Sequence, residues 1–518
     1  MSHWVALPVI LPSLMAPLLV LAMRHDLGLQ RVFSAATTFA LAAIAIGLFV
    51  SANSAEAPQV YAMGDWAAPF GIVLVLDRLS ALMLLLTALL AVAVILYVVG
   101  TNWDDRGRHF HPLFQFQLMG VNGAFLTGDA FNLFVFFEVL LIASYGLLLH
   151  GGGAGRMRAG VQYVAVNLGG STLFLFALGA LYALTGTLNM ADLAVRVPEL
   201  DPGDTALIRV AALLLLLVFA VKAAMVPLHF WLPGAYSEAP APVAALFAVM
   251  TKVGAYAIIR FYTLVFGEGA GEVGGIAADW LMPAALVTGV LGTIGVMGAR
   301  GLGALVAFSV VGSMGTLLIA VALFTPAGTS AALYYLVHST FAAAALFLIA
   351  EQVALRRGVW GDAIRPAPPM AGNELMAGLW MAGAVAMVGL PPLSGFLGKL
   401  LVLDVARQSA DVWLIWAVIL GGSLVAVVGF AKAGSTMFWK SWELREPVAP
   451  APPASALALA ATVALTAAPA LLAAFAGPAM GYFEATAAEL HAPAGYIEAV
   501  LGSPEAMAGA ESLRAGED

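Results

Sequence analysis

Gly128-Asp129-Ala130-Phe131-Asn132-Leu133-Phe134-Val135-Phe136-Phe137-Glu138-Val139-Leu140-Leu141-Ile142-Ala143 places one glutamate in the middle of an otherwise apolar run. The run continues to Leu149, long enough for a helix that spans a hydrocarbon core of about 30 Å, which takes about 20 residues. Glu138 lies nine residues beyond Asp129, about 13 Å further along such a helix. Its short side chain cannot reach a headgroup from there. The stretch therefore predicts a membrane helix with a carboxyl group inside it.

The rest of the chain agrees. Of 518 residues, 62% are hydrophobic and 10% charged, against about 25% charged in soluble proteins. Lipid-facing helices need no surface charge. The formal net charge of -8 leaves no footprint for nucleic acid, and the absence of cysteine excludes disulfides, thiolate metal sites and iron–sulfur ligation. The eight histidines are scattered and show no metal-ligand spacing, so neither a metal nor another cofactor is expected. The run from Trp4 to Met23 lacks a basic leader and a cleavage site, and it reads as the first membrane helix rather than a signal peptide.

About fourteen spans fit the same ruler: 4–23, 32–51, 72–99, 111–127, 130–150, 160–185, 205–225, 241–266, 276–298, 303–324, 328–354, 374–404, 411–438 and 455–477. Only helices or closed barrels satisfy their backbone in lipid, and segments of this length are helices. The expected fold is thus an all-α polytopic membrane protein. Basic residues cluster in alternate loops: Arg24 and Arg31, Arg106 and Arg108, Arg156 and Arg158, Arg300, then Arg356, Arg357 and Arg365, then Lys440 and Arg445. Loops rich in Lys and Arg stay inside, so those loops face the cytoplasm and both termini lie outside. The Ala/Pro/Glu/Gly-rich tail after about Gly477 is expected to be exposed and partly mobile.

Two spans carry proline where a helix cannot tolerate it. One reads Val221-Lys222-Ala223-Ala224-Met225-Val226-Pro227, running on to His229 and Pro233. The other reads Gly389-Leu390-Pro391-Pro392-Leu393-Ser394-Gly395, running on to Lys399. Proline removes a donor and frees carbonyls, which at membrane depth requires protein or water to satisfy them. Interrupted helices in two halves of a chain point to a repeat with an ion path between its copies.

Lys222, Lys252, His338 and Lys399 join Glu138 inside predicted spans. Each charge at the bilayer centre costs about 2.5–3.5 kcal/mol on insertion scales. Snorkelling lysines or static pairs between helices are the bland alternative. Lys432, near a helix end, fits snorkelling, and Asp77, Arg78, Glu351 and Asp404 read as interfacial. For the buried groups a chemical use follows. Burial disfavours the charged form and pairing restores it. A Glu138–Lys222 pair would hold the lysine charged, and separating the two would release its proton toward Lys252, with His338 able to titrate near neutrality.

The stretches Asn122–Asp129, Phe131–Glu138, Lys222 with His229-Phe230-Trp231-Leu232-Pro233, Ala239–Val243, Thr251–Gly254 and Gly389–Lys399 resemble the antiporter-like subunits of respiratory complex I and its relatives. The wording around Glu138 and Lys399 is most similar to the D subunit of the multisubunit monovalent-cation/proton antiporters of the Mrp or Pha type. The resemblance implies fourteen helices, with two inverted five-helix repeats and discontinuous helices 7 and 12. It divides the chain into an N-terminal three-helix segment (1–110), a first repeat (111–270), a second repeat (271–440), and a last helix with an outer tail (441–518). It assigns proton translocation to Glu138, Lys222, Lys252, His338 and Lys399, with His229 and Asp129 as accessory positions. It implies other antiporter subunits as partners, proton movement coupled to Na+ or K+ export, and a place in the bacterial inner membrane. Two departures stand out. Many relatives carry a lysine shortly after the histidine of the eleventh helix, where this chain has Ala343. The Tyr-Ser-Ser wording common near the tenth helix is Phe308-Ser309-Val310 here.

Two alternatives to a transporter subunit stay open at the level of sequence. One is a proton-pumping membrane subunit of a complex I-like quinone oxidoreductase or membrane hydrogenase. The other is a scaffold that only holds an assembly together. With no cysteine ligands and no nucleotide fingerprint, the chain itself is not expected to be an enzyme.

Overall fold

The computed structural model of the chain describes residues 3–440 and 455–502. The expectation at Arg445, and the part of the tail beyond 502, lie outside the described residues.

The helices, in order, are α1 (His3–Leu21), α2 (Leu27–Ser54), α3 (Arg78–Thr101), α4 (Phe110–Leu126), α5 (Ala130–Leu149) and α6 (Ala154–Thr185). Then come α7 (Met190–Arg196), α8 (Thr205–Lys222), α9 (Trp231–Glu238), α10 (Ala241–Phe247), α11 (Met250–Leu264), α12 (Ala278–Gly298) and α13 (Leu302–Ala322). The last are α14 (Pro326–Arg357), α15 (Asn373–Val388), α16 (Ser394–Val405), α17 (Val412–Gly434), α18 (Ala456–Ala474), α19 (Ala476–Leu490) and α20 (Ala494–Leu501). Twelve helical stretches among the described residues are long and apolar enough to cross a membrane, counting α10 with α11 as one. The two other expected spans fall on α4, of 17 residues, and on the interrupted pair α15–α16. The chain is a multi-pass membrane protein.

Burial sorts the helices into two environments. The long helix α14 is 94% buried over its most apolar window, whereas α17 is only 28% buried. Leu14, Val32, Phe176, Ile294 and Leu424 are exposed on the outer helices. That much bare apolar surface fits lipid as the solvent and would be an aggregation hazard in water. α14 is the central post, touching α10, α13, α15, α16, α18 and α19.

Both proline-marked breaks are present, and both are satisfied by side chains. α8 stops at Lys222, Ala224 takes a left-handed conformation (φ 53°), and the Val221 carbonyl accepts from Trp231 Nε1 at 3.0 Å. α15 stops at Val388, whose carbonyl accepts from Lys399 Nζ at 2.6 Å. A third break, between α10 and α11, divides the predicted span 241–266. No proline or glycine marks it, and the Phe247 carbonyl accepts from the Tyr236 hydroxyl at 2.7 Å.

Three expectations need correction. The span predicted from residue 72 starts later, because β2 (Val73–Leu76) pairs antiparallel with β1 (Gln59–Ala62), Gln59 facing Leu76 and Ala62 facing Val73. The alternating β-branched residues favour the extended form, and Asp77 then opens α3 with a capping box that includes Ser80. The tail is not loose over residues 476–501. It forms α19 and α20, which bury Tyr482, Phe483, Leu490 and Tyr496. Asp77 is not interfacial but 3% exposed, in an ion pair with Arg260.

Between α3 and α4 a turn carries Asp104, which accepts from Arg31 Nε at 2.6 Å and sits 2.9 Å from His111 Nε2. Burial pushes its carboxyl pKa up, but the bonds from His111 and Arg31 outweigh that and bring it down to about 2. The unfolded value is about 3.9. A carboxyl depressed on folding stabilises the fold above its unfolded pKa and loses that contribution as pH falls through the folded one. Asp104→Asn should therefore lower stability by on the order of 2 kcal/mol at neutral pH. Thermal unfolding of purified protein should show the gap to wild type closing as pH drops from 4 toward 2. A gap independent of pH over that range would contradict the assignment.

Candidate proton path

The first half of the path is built on α5, α6 and α8. Glu138 projects from α5 and accepts a hydrogen bond from the Ser171 hydroxyl of α6. One turn away on the same face, Asn167 Oδ1 accepts from Lys222 Nζ at 3.2 Å. Residues four apart on a helix share a face, so α6 offers two polar rungs between the glutamate and the lysine. The same hydroxyl lies 3.0 Å from the Asn167 backbone carbonyl, a second acceptor for its one proton. Among the described residues Glu138 and Lys222 form no direct ion pair, although the carboxylate is near enough for its charge to act on the lysine. In place of the expected contact, each charged group is held by its own neutral side chain on α6.

Lys222 ends α8 at the break, and α11 presses directly on that end. A Cβ added at Gly254 would lie 2.5 Å from the Ala223 nitrogen and 2.9 Å from the Lys222 carbonyl carbon. Only glycine permits this approach. Lys252, two residues earlier on α11, is 0% exposed, and its Nζ lies 3.4 Å from Thr251 Oγ1. Among the described residues no carboxylate pairs with it.

His338 on α14 is 0% exposed. Its Nδ1 lies 2.8 Å from Ser394 Oγ at the start of α16, and its Nε2 is buried with no partner among the described residues. Lys399 and Lys252 are both near enough for their charges to act on this ring. Lys399 closes the series, donating to the Val388 carbonyl and, at 2.8 Å, to Ser423 Oγ on α17. The ammonium thus does two jobs, carrying charge and capping the broken end of α15.

Of the five predicted groups, Lys222, Lys252 and His338 are buried and Glu138 and Lys399 partly so; Glu138 and Lys222 share α6 as a neighbour, and His338 and Lys399 flank the break between α15 and α16. His229 lies half-buried on the turn after the first break, its Nδ1 without a partner among the described residues. Asp129 caps α5 by accepting from the Asn132 backbone at 2.7 Å, a structural task at the helix end. The sequence reading missed Asn167, Ser171, Ser394 and Ser423. A search for polar residues spaced by four within apolar spans would have found the first two.

Lysines at two broken helices of a polytopic membrane protein, each held by buried neutral groups, mark the class of ion-translocating subunits. The family model described as NADH:quinone oxidoreductase/Mrp antiporter, transmembrane, matches residues 127–426. A Rhizobium meliloti protein named as a probable K+/H+ antiporter D subunit is 41% identical over 98% of this chain and 99% of its own length. The Na+/H+ antiporter D subunit of Bacillus subtilis is 38% identical over 85% of this chain and 87% of its own. A chain in the solved Mrp complex of a Dietzia species superposes with a TM-score of 0.84 at 29% identity, covering 97% of this chain and all of that one. This chain belongs to the NADH:quinone oxidoreductase/Mrp antiporter transmembrane family.

Proposed function

We propose that the chain is the proton-translocating D subunit of a multisubunit monovalent-cation/proton antiporter in a bacterial plasma membrane, working with other antiporter subunits to exchange protons for Na+ or K+. In this reading both termini lie outside, as the basic loops indicate, and residues 111–270 and 271–440 act as two related halves. The chain serves transport and carries no redox chemistry of its own. The relatives named as cation/proton antiporter subunits favour this over a pumping subunit of a quinone oxidoreductase.

The observation that carries the proposal is that Glu138, held by Ser171, and Lys222, held by Asn167 one turn along α6, are lined up inside the protein without a direct salt bridge. A proton passes along such a series when each group's charge changes its neighbour's hold on a proton. Carboxylate and ammonium are close enough to sense one another, yet not locked in a static salt bridge. Lys252 and His338 lead the charge to Lys399, with His338 standing where Ala343 offers no second lysine. The test is a vesicle assay of Na+- and K+-driven proton exchange with the whole complex. Glu138→Gln keeps the Ser171 hydrogen bond but removes the charge, and should lower exchange by about tenfold while the complex still assembles. Full exchange in Glu138→Gln and in Lys222→Met would reject the mechanism and leave the scaffold reading.

A further inference from the structure

Beside Lys399, between α12, α13 and α17, lies a cavity of about 40 Å³ that the Glu138-to-Lys399 relay does not use. It has room for two or three waters or one partly dehydrated ion, at about 10–15 Å³ per water-sized sphere. Its hydroxyl-bearing residues are Thr293, Ser309, Ser313, Thr316, Tyr335 and Ser423, and among the described residues no carboxylate lines it. The helices are close here because Gly292 meets the Gly312 nitrogen almost backbone to backbone, a Cβ at Gly292 falling 2.2 Å from it.

The serines and threonines bond carbonyls of their own helices, and Thr316 also bonds the Tyr335 hydroxyl. Ser309 donates to the Leu305 carbonyl at 2.8 Å, Ser313 to Val310 at 2.9 Å and Thr316 to Gly312 at 3.4 Å. Thr293 donates to Val290 at 2.8 Å and Ser423 to Ile419 at 2.7 Å. What the serines and threonines leave for the cavity is oxygen lone pairs. A wall of neutral acceptors suits a positive guest, and the Lys399 ammonium, bonded to Ser423 Oγ, is already one. Without carboxylates the site suits a monovalent cation better than Ca2+ or Mg2+, whose sites draw on acidic ligands. Two positive charges a few ångströms apart in a buried site repel strongly.

We propose that this cavity is a binding site for a small monovalent cation, K+ or Na+, which enters when Lys399 gives up its proton and leaves when Lys399 regains it. The lysine's proton departs to cavity water or toward His338 as the cation arrives, so the charge of the pocket is conserved. Ser309, Ser313 and Thr316 lie on successive turns of α13. The inference deepens the antiport reading and rests on it.

The chain has no cysteine, so Ser313→Cys gives this subunit a single thiol. Ag+ is a monovalent cation that binds thiolates tightly. The purified whole complex is treated with Ag+, quenched and denatured, and the thiol left on this subunit is counted with a fluorescent maleimide. Ag+ should block Ser313→Cys. Saturating K+ or Na+ should slow the blocking by about fivefold or more relative to the same concentration of N-methylglucamine. Lys399→Met in the same background should speed it by about tenfold. Two results would overturn the site: no blocking while Ala154→Cys at the exposed start of α6 reacts, or blocking that K+ and Na+ leave unchanged, which marks a merely hydrated void. Neither readout depends on transport. If Glu138→Gln abolishes exchange and Ser313→Cys stays inert, the cation site alone fails. If the site is protected and Glu138→Gln exchanges normally, the relay fails instead.

Discussion

Arg260→Met should destabilise the folded protein by about 3–5 kcal/mol, the loss expected when one partner of a buried ion pair is removed. Arg260 Nη1 lies 2.5 Å from Asp77 Oδ2, with the two side chains 4% and 2% exposed. The guanidinium also lies over the rings of Tyr256 and Tyr496, at 5.5 and 5.2 Å from their centroids. Removing it leaves a carboxylate that water cannot reach, at the N-terminus of α3. The cost arises from the orphaned charge rather than from any large net worth of the pair. The double variant Arg260→Met with Asp77→Asn should therefore be more stable than Arg260→Met alone, and thermal unfolding of the purified complex measures the difference. Equal losses in the single and double variants would show that packing against the tyrosines, not charge, holds this end of α11. The same cluster ties down the C-terminal helices. Tyr496 of α20 stacks on Arg260, and Glu489 of α19 pairs with Arg78 at 3.1 Å. Arg260→Met should accordingly loosen α19–α20 first, seen as faster amide exchange across residues 482–500.

The membrane class and most span positions were legible because lipid imposes one simple rule, an apolar run of sufficient length. The breaks at Pro227 and Pro391 were legible because proline acts locally, through its own missing donor. The break at Ala248 was not, since its cause is a tyrosine on another helix that takes the freed Phe247 carbonyl. Composition misread the tail for the same kind of reason. Ala, Gly and Pro suggest looseness, but Tyr482, Phe483 and Leu490 recur at helical spacing and find α3, α11 and α14 to pack against. In the path, charged residues stood out because charge in an apolar span is conspicuous. The neutral members did not, because Asn167, Ser171, Ser394 and Ser423 matter only through what they face. Asp77 looked interfacial for want of its partner, which lies far along the chain.

Gly395→Ala should cut cation-driven proton exchange by about 100-fold, the scale of loss that a displacement of about 1 Å causes in a positioned site. The reason is where α15 ends and α16 begins. A Cβ at Gly395 would fall 2.0 Å from the Ala386 carbonyl oxygen and 2.8 Å from His338 Nε2. The Ala386 carbonyl cannot give way cheaply, so α16 must move off α15, and the imidazole is pressed from its place as well. The first stretches the Lys399 bond to the Val388 carbonyl, and the second breaks the contact between His338 and Ser394. Stability should fall as well, by about 1–3 kcal/mol, the usual cost of overpacking. Gly378→Ala is the matched control, in the same α15, where an added Cβ meets nothing within 4 Å. It should leave exchange unaltered and add up to about 1 kcal/mol of stability, because alanine favours the helix. Combining Gly395→Ala with His338→Ala separates the two routes. Whatever stability the double variant regains over Gly395→Ala measures the clash with the imidazole, and exchange stays lost. The loss that remains is the clash with the Ala386 carbonyl, which persists when the ring is gone. Normal exchange in Gly395→Ala would mean that the spacing of His338 and Lys399 across the break is not what limits proton passage.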